Sequence, residues 1–486
     1  MKNKIKFLNS LFFDFLNIPI QILSTLFIIP FFIQQFGAEV YGNWISILSI
    51  ITIFLFFDFG FGVPFTNQIK DGAKDEFIST VIYLTIVLAS FASFLFYYSS
   101  FLFFNFFNLL EGNSFSVYIS IYIFLEIMFG SFGCILNGKG HVDLVNRIKI
   151  QGEIVYISLL TTLIYLDYSI LSFLYALIAK TLYNGFILFY FSYLRLKLFS
   201  LLRKINAKDI FSLFLNDILK YQVHRINETV YQSADNLIIQ YFLGARYVAI
   251  YNITSKMAVL FSRTLAPKFT STLYLFIKKK SNFSEKNYLI LESKFFRLGF
   301  IFFTISLLIN EPFINQFYSK NEFGGINLTI LFSLWVLVEY FFINSYTHVV
   351  AYKKYNSLMY SSFFEMITNL ILSLFLIEYF GLIGVAFSTL ISKIIFSYYF
   401  YSRIFIINYY KNWIAFIKKS IIKNLIFVIF SITISNVIIK TVSNVYLVLL
   451  GINIAIILLN LLLFDLKILL NKKMGITEKF KQIIIE

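Results

Sequence analysis

The sequence predicts an all-α membrane protein with about fourteen transmembrane helices. The chain has 486 residues, of which 59% are hydrophobic and only 14% are charged. A soluble globule cannot bury that share of apolar surface. A bilayer can accommodate it if every crossing is a helix, because a helix satisfies its own backbone hydrogen bonds. The spacing of the basic residues and an internal repeat complete the prediction.

Fourteen apolar runs approach or exceed the roughly 20 residues that a helix needs to cross the hydrocarbon core. These runs are 8–35, 41–65, 77–106, 114–137, 148–166, 169–194, 222–243, 248–276, 291–318, 326–350, 357–380, 383–407, 414–439 and 444–466. An even number of crossings places both chain ends on the same side of the membrane.

Lys and Arg are concentrated in every second gap between these runs. The basic gaps are 1–6, 70–74, 139–149, 195–220, 278–294, 353–354, 403–419 and 467–481. The alternate gaps contain only Arg246, Lys320 and Lys440. Basic loops stay in the cytoplasm, so the pattern predicts that both termini are cytoplasmic. Basic loops beside anionic headgroups also explain the net charge of +16, so we expect no nucleic-acid partner.

Charged residues inside the apolar runs recur at a nearly constant spacing. Three pairs of identical residues lie 213, 212 and 213 positions apart: Glu126 with Glu339, Glu153 with Glu365, and Lys180 with Lys393. Each copy contains six crossings, so the two copies enter from the same side as parallel repeats around a central cavity. The predicted domains are a six-helix bundle at 1–196, a cytoplasmic basic linker at 197–220, a second six-helix bundle at 221–410, and two extra transmembrane helices with a cytoplasmic tail at 411–486.

Polar residues in two of the runs share one helical face. The first run places Asp14, Asn17, Gln21 and Ser24 at steps of three, four and three, and the seventh repeats these steps with Arg225, Glu228, Gln232 and Asp235. A polar face is costly against lipid, so each set should face protein or water. Two interpretations stay open: the lining of a cavity, or a structural helix contact in which Arg225 pairs with Glu228.

Several cations are predicted to lie within the membrane. Lys256 and Arg263 are seven residues apart and share a helical face, while Lys180 and Lys393 lie near the middle of their runs. Together with Arg225 they form the predicted substrate-binding set, which would present positive charge to an anionic ligand. The alternative is that each cation pairs with a glutamate and only braces neighbouring helices.

Asp58, Glu228 and Asp235 are the candidates for coupling transport to a proton or sodium ion. The sequence contains no phosphate-binding Walker loop and no His/Cys spacing typical of a metal site. We therefore expect no catalytic residue, no metal and no cofactor other than a coupled H⁺ or Na⁺. The energy for transport would come from an ion gradient or from consumption of the product.

Short motifs relate the chain to a known family. They are Phe36-Gly37-Ala38-Glu39-Val40-Tyr41-Gly42, Asp58-Phe59-Gly60-Phe61-Gly62, and the stretch from Asp235-Asn236-Leu237 to Tyr251. With these motifs the chain resembles the Wzx-type O-antigen flippases of the multidrug/oligosaccharidyl-lipid/polysaccharide (MOP) superfamily.

The resemblance implies a non-enzymatic protein of lipopolysaccharide or related surface polysaccharide biosynthesis. Such a protein resides in the bacterial inner membrane and moves an undecaprenyl-pyrophosphate-linked oligosaccharide from the inner to the outer leaflet by alternating access. The implied partners are this lipid-linked oligosaccharide, membrane lipids, and the polysaccharide polymerase and chain-length regulator of the same pathway.

Two other functions fit parts of the pattern. A MATE-like multidrug or cation antiporter would share the architecture, but its site should be acidic, whereas Lys256 and Arg263 are basic. A membrane-embedded polysaccharide polymerase should carry a large external loop, whereas the longest predicted one is short and lies near 317–326. The flippase therefore remains the favoured interpretation.

Overall fold

The computed structural model describes residues 20, 27–58, 65–66, 69–70, 72, 75–109, 112–196, 219–266 and 285–402. These ranges contain twelve α-helices, short 3-10 and π-helical turns, and no strand. The helices are α1 Ile29–Phe36, α2 Ala38–Leu55, α3 Asp75–Phe106, α4 Gly112–Gly138, α5 Val142–Tyr165, α6 Ile170–Leu196, α7 Leu219–Phe242, α8 Ala245–Val259, α9 Glu285–Phe317, α10 Ile326–Ala351, α11 Tyr355–Phe380 and α12 Leu382–Ser397.

The all-helical prediction is confirmed for this part of the chain. Each of the twelve helices falls within or overlaps one of the first twelve predicted runs, in the same order. The last two runs, 414–439 and 444–466, lie outside the described residues, so the total of fourteen and the repeat layout stay predictions.

Nine helices in the described ranges are long and apolar enough to cross a membrane: α2, α3, α4, α5, α6, α9, α10, α11 and α12. The chain is therefore a multi-pass membrane protein. Helix α7 has 24 residues, which is long enough to span a bilayer, but it is too polar to belong to this set.

The chain divides into two compact units. The first unit comprises residues 1–250 and 362–381, and the second comprises 251–361 and 382–486. Helices α8 and α11 each contribute residues to both. The predicted six-helix bundles at 1–196 and 221–410 stay a prediction, because their linker lies almost entirely outside the described residues.

In the first unit, α3, α4, α5 and α6 pack around an apolar core. Ile78 of α3, Ile135 of α4 and Val145 of α5 are fully buried in it. Small residues let the helices approach closely, as is usual between membrane helices. A Cβ at Gly185 would lie 2.2 Å from the ring of Phe129, which holds α6 against α4.

Helix α2 packs along α7 in the same unit. A glycine turn precedes α2, where Gly37 has φ 89°, and another follows α7, where Gly244 has φ 93°. Such left-handed values favour glycine over other residues. Beyond these turns, a Cβ on Gly42 would lie 1.8 Å from the backbone oxygen of Ala245, so the start of α2 touches the start of α8.

We expect Gly42→Ala to destabilise the protein by about 1–3 kcal/mol, the usual cost of overpacking. The added methyl group would meet backbone, which cannot move aside as a side chain can. Thermal unfolding of the purified protein in detergent measures the effect. Gly130→Ala in α4 is the matched control, because a Cβ there meets nothing within 4 Å. Equal melting temperatures for the two variants would contradict the close approach of α2 and α8.

In the second unit, α10 packs against both α9 and α12. Phe296 and Phe300 of α9 are buried and pack against Phe341 of α10. The buried amide of Asn310 donates to the backbone oxygen of Thr254 at 2.9 Å and to Thr329 Oγ1 at 3.0 Å, which joins α8, α9 and α10. Apolar packing and a bonded amide thus hold this unit together.

Candidate functional site

Helix α7 owes its low hydropathy to polar side chains, many of which are bonded to other helices. These bonds are Gln222 Nε2 to the backbone oxygen of Phe56 at 3.0 Å, Asn227 Nδ2 to Ser362 Oγ at 3.2 Å, Asn236 Nδ2 to Ser49 Oγ at 2.9 Å, and Ser46 Oγ to Gln240 Oε1 at 3.0 Å. Buried polar groups normally have such partners. One set of polar residues on α7 therefore serves to attach it to α2 and α11.

The polar stripe predicted on α7 divides into two parts. Arg225 and Gln232 are exposed and Glu228 is partly exposed, so these three share an accessible face. Asp235 instead is only 6% exposed and accepts a hydrogen bond from Asn369 Nδ2 at 3.0 Å. The accessible part cannot face lipid without cost, which makes it a candidate lining for an aqueous cavity.

Glu228 has a contact on α7 that the sequence did not predict. Its Oε1 lies 3.7 Å from Nε2 of His224, which is one turn earlier on α7 and is buried. Arg225, three residues before Glu228, is exposed.

Lys180 lies in a charged cluster formed by α4, α5 and α6. Its Nζ is 2.7 Å from Glu153 Oε1 and 5.5 Å from the centre of the Tyr156 ring. The next residue, Thr181, donates from Oγ1 to Glu126 Oε2 at 2.5 Å. One carboxylate of the cluster therefore pairs with the ammonium group, and the other accepts a hydrogen bond from a hydroxyl.

Lys393 in the second unit also pairs with a glutamate. Its Nζ lies 3.6 Å from Glu339 Oε2, between α12 and α10. Both lysines that the repeat matches are thus ion-paired, as the bracing interpretation anticipated. An anionic ligand would have to compete with a carboxylate for either of them.

The predicted site residues are divided between the two units, and the side chains of two of them lie outside the described residues. Arg225 and Lys180 belong to the first unit, whereas Lys256, Arg263 and Lys393 belong to the second. Lys256 is half-buried on α8. Arg263 lies in the π-helical turn Leu260–Leu265 and Asp58 ends the 3-10 turn Phe56–Asp58, and the side chains of both lie outside the described residues.

Sequence reasoning missed two kinds of residue. Arg297 is a half-buried cation inside α9, and it could have been found as the only arginine in the run 291–318. Asn369, which bonds to Asp235, is neutral, so nothing in the apolar run 357–380 marks it as a partner for a carboxylate. Within the described ranges, no group of three or more His, Cys, Asp or Glu side chains could hold a metal ion.

Comparisons with known proteins support the fold. No family model matches the chain. An uncharacterized membrane protein of Methanocaldococcus jannaschii is 28% identical over 203 residues, which cover 39% of this chain and 46% of that protein. The chain's match therefore spans less than half the length of this curated relative.

Solved structures of transporters superpose on most of the chain. The lipid II flippase MurJ in an inward closed conformation has a TM-score of 0.69 at 17% identity and covers 96% of this chain and 99% of its own. An inward-facing multidrug resistance MATE family transporter of the MOP superfamily has a TM-score of 0.62 at 14% identity, with 79% and 94% covered.

A third structure is a MOP superfamily transporter from Pyrococcus furiosus, described by the reverse polarity of its binding pocket. It has a TM-score of 0.57 at 12% identity, with 82% of this chain and 95% of its own covered. At these identities the likeness concerns the fold alone. The chain has the fold of MOP superfamily transporters, and the prediction of a Wzx-type O-antigen specificity stays a prediction.

Proposed function

We propose that this protein is a flippase for an undecaprenyl-pyrophosphate-linked oligosaccharide. It would move the repeat unit of an O-antigen or related polysaccharide from the inner to the outer leaflet of the bacterial inner membrane, without acting as an enzyme. The observation that carries the proposal is the exposed Arg225 on the polar face of α7, in a fold shared with a lipid II flippase.

The chemistry of the proposed substrate matches that face. A pyrophosphate is anionic and cannot cross hydrocarbon unaided, whereas its polyprenyl chain can remain in lipid. A guanidinium binds phosphate oxygens through two parallel charge-assisted hydrogen bonds. Arg225 is exposed on the polar face of α7, so its guanidinium is accessible to a headgroup that reaches this face.

The remaining predicted cations differ in whether a carboxylate is seen to hold them. Lys256 and Arg263 stay in the proposed substrate-binding set. Lys180 and Lys393 would contact it only by exchanging a glutamate for phosphate, because each is held by a carboxylate. Asp58, Glu228 and Asp235 are the proposed carboxylates for H⁺ or Na⁺ coupling.

The proposed setting follows from the substrate. Both termini would be cytoplasmic, and the partners would be membrane lipids together with the polymerase and chain-length regulator that act on the exported repeat. A MATE-like antiporter is the second candidate, because a multidrug resistance MATE family transporter shares the fold at a TM-score of 0.62. That function needs a site for a cationic ligand, which an exposed arginine disfavours.

Depletion of the protein in its host tests the proposal. We expect lipid-linked oligosaccharide to accumulate in the cytoplasmic leaflet, measured by its inaccessibility to an external glycosidase in spheroplasts. Arg225→Gln should reproduce this accumulation with about a tenfold or greater loss of export, since a hydrogen bond to a charged group is worth about 1.5–3 kcal/mol. Arg246→Gln, an exposed arginine at the start of α8, is the control and should export normally.

Three outcomes would contradict the proposal. Unpolymerised repeats in the outer leaflet would indicate a polymerase. Normal export together with hypersensitivity to cationic drugs would indicate an antiporter. Equal effects of Arg225→Gln and Arg246→Gln would remove the accessible face of α7 from the mechanism.

A further inference from the structure

One polar residue of α7 differs from its neighbours. Asn227, Asp235, Asn236 and Gln240 each have a hydrogen-bond partner on another element. Gln232 lies among them but is exposed, and it has no hydrogen-bond partner within the ranges that the structure describes. Among the described residues it therefore does not attach α7 to a neighbouring helix.

The position of Gln232 relates it to Arg225. The two residues are seven apart, which is two turns of helix, so Gln232 lies on the same face roughly 10 Å further along the axis. Thr229 lies between them on this face, and its hydroxyl donates to the backbone oxygen of Arg225 at 2.9 Å. The hydroxyl oxygen of Thr229 can still accept a hydrogen bond.

A neutral amide at this place needs an explanation in physical terms. Gln232 is the fourteenth residue of a helix of 24, so it lies near the middle of α7. An exposed amide there is costly against lipid, and a phosphate would be bound better by a cation. An amide offers both donors and acceptors, and sugar hydroxyls require both.

We propose that the accessible face of α7 recognises the sugar that follows the phosphate. Gln232 would determine specificity by hydrogen-bonding neutral hydroxyl groups of the carbohydrate, with Thr229 as a flanking acceptor, while Arg225 binds the phosphate. This inference rests on the proposed flippase function and adds its carbohydrate subsite. The fixed separation of the two side chains then selects a carbohydrate attached directly to the pyrophosphate.

Competition between two lipids tests this subsite. The purified protein is reconstituted in vesicles with undecaprenyl pyrophosphate and with the same lipid carrying the host oligosaccharide, and the transport of both is measured. We expect Gln232→Leu to lower the preference for the glycosylated lipid about tenfold while transport of the sugarless lipid is unchanged. Arg225→Gln should lower transport of both lipids.

A second variant and a folding control keep the result interpretable. Gln232→Asn shortens the side chain but retains the amide, so it should keep part of the preference that Gln232→Leu loses. Gln240→Leu removes a buried amide bonded to Ser46 and should lower the yield of folded protein instead.

The outcomes separate this inference from the proposed function. If Gln232→Leu changes the transport of both lipids equally, or of neither, the sugar subsite is overturned while the flippase stands. If the wild-type protein moves neither lipid, the proposed function fails, and the subsite fails with it.

Discussion

Lys180→Glu is expected to abolish transport and to remove most of the folded protein from the membrane. The variant would place a third carboxylate in the cluster that already contains Glu126 and Glu153. Removing one partner of a buried ion pair costs about 3–5 kcal/mol, because the other charge is left uncompensated. The pair is only partly buried, with the Lys180 side chain 27% and the Glu153 side chain 18% exposed. We therefore expect the loss of folding free energy to lie near the lower end of that range.

The charge exchange Lys180→Glu with Glu153→Lys separates the two roles that the lysine could have. If the pair only braces α5 and α6, the double variant should recover both folded protein and transport. If Lys180 also contacts the phosphate headgroup, the double variant should recover the folded protein but not transport, because the ammonium group has moved to α5. Size-exclusion chromatography of the detergent extract and an export assay measure the two quantities.

The second lysine provides a matched comparison. Lys393 and Glu339 are 3.6 Å apart, compared with 2.7 Å for Lys180 and Glu153. We therefore expect Lys393→Glu to remove less folded protein than Lys180→Glu. A larger loss of folded protein for Lys393→Glu than for Lys180→Glu would contradict this order.

The helices could be predicted from the sequence because a helix that crosses lipid needs apolar residues along its whole length. The runs 114–137, 326–350 and 357–380 differ from α4, α10 and α11 by two residues or fewer at each end. Polar residues or a glycine flank each of these runs in the sequence. No comparable rule assigns partners to charges, because a side chain can reach any of several adjacent helices.

The ion pairs illustrate that limit. The repeat matched Lys180 with Lys393 and matched Glu153 with Glu365, so equivalent halves would pair Lys393 with Glu365. Lys393 lies 3.6 Å from Glu339, the counterpart of Glu126, which is a contact that the repeat does not indicate. The choice depends on side-chain direction and helix rotation, and neither can be obtained from residue spacing.

The polar stripe of α7 shows the same limit for burial. Helical periodicity placed Arg225, Glu228, Gln232 and Asp235 on one face, and the first three share an accessible face. Asp235 is buried and accepts a hydrogen bond from Asn369 of α11, which lies 134 positions later in the chain. A neutral asparagine in an apolar run gives no sign that it will bond to a carboxylate.

Asp235→Asn is expected to decrease ion-driven transport at least tenfold while the protein remains folded. A buried carboxylate is costly unless it is neutralised by a proton, a cation or a charged partner. Its hydrogen-bond donor Asn369 is neutral, and Ser373 in turn donates to Asn369 Oδ1 at 3.3 Å. A buried carboxylate that accepts a hydrogen bond from an amide can bind H⁺ through its oxygens, or Na⁺ through several oxygens at once. The asparagine variant keeps the size of the side chain and removes the charge that would attract either ion.

Vesicles with an imposed sodium or proton gradient identify the ion. Wild-type transport should increase with one of the two gradients, whereas Asp235→Asn should respond to neither. Glu228→Gln is the matched control, because Glu228 is a partly exposed carboxylate on the same helix beside His224. If Glu228→Gln loses the response and Asp235→Asn keeps it, the coupling carboxylate is the accessible one, and the buried Asp235 serves only to join α7 to α11. If both variants keep the full response, coupling through α7 is excluded.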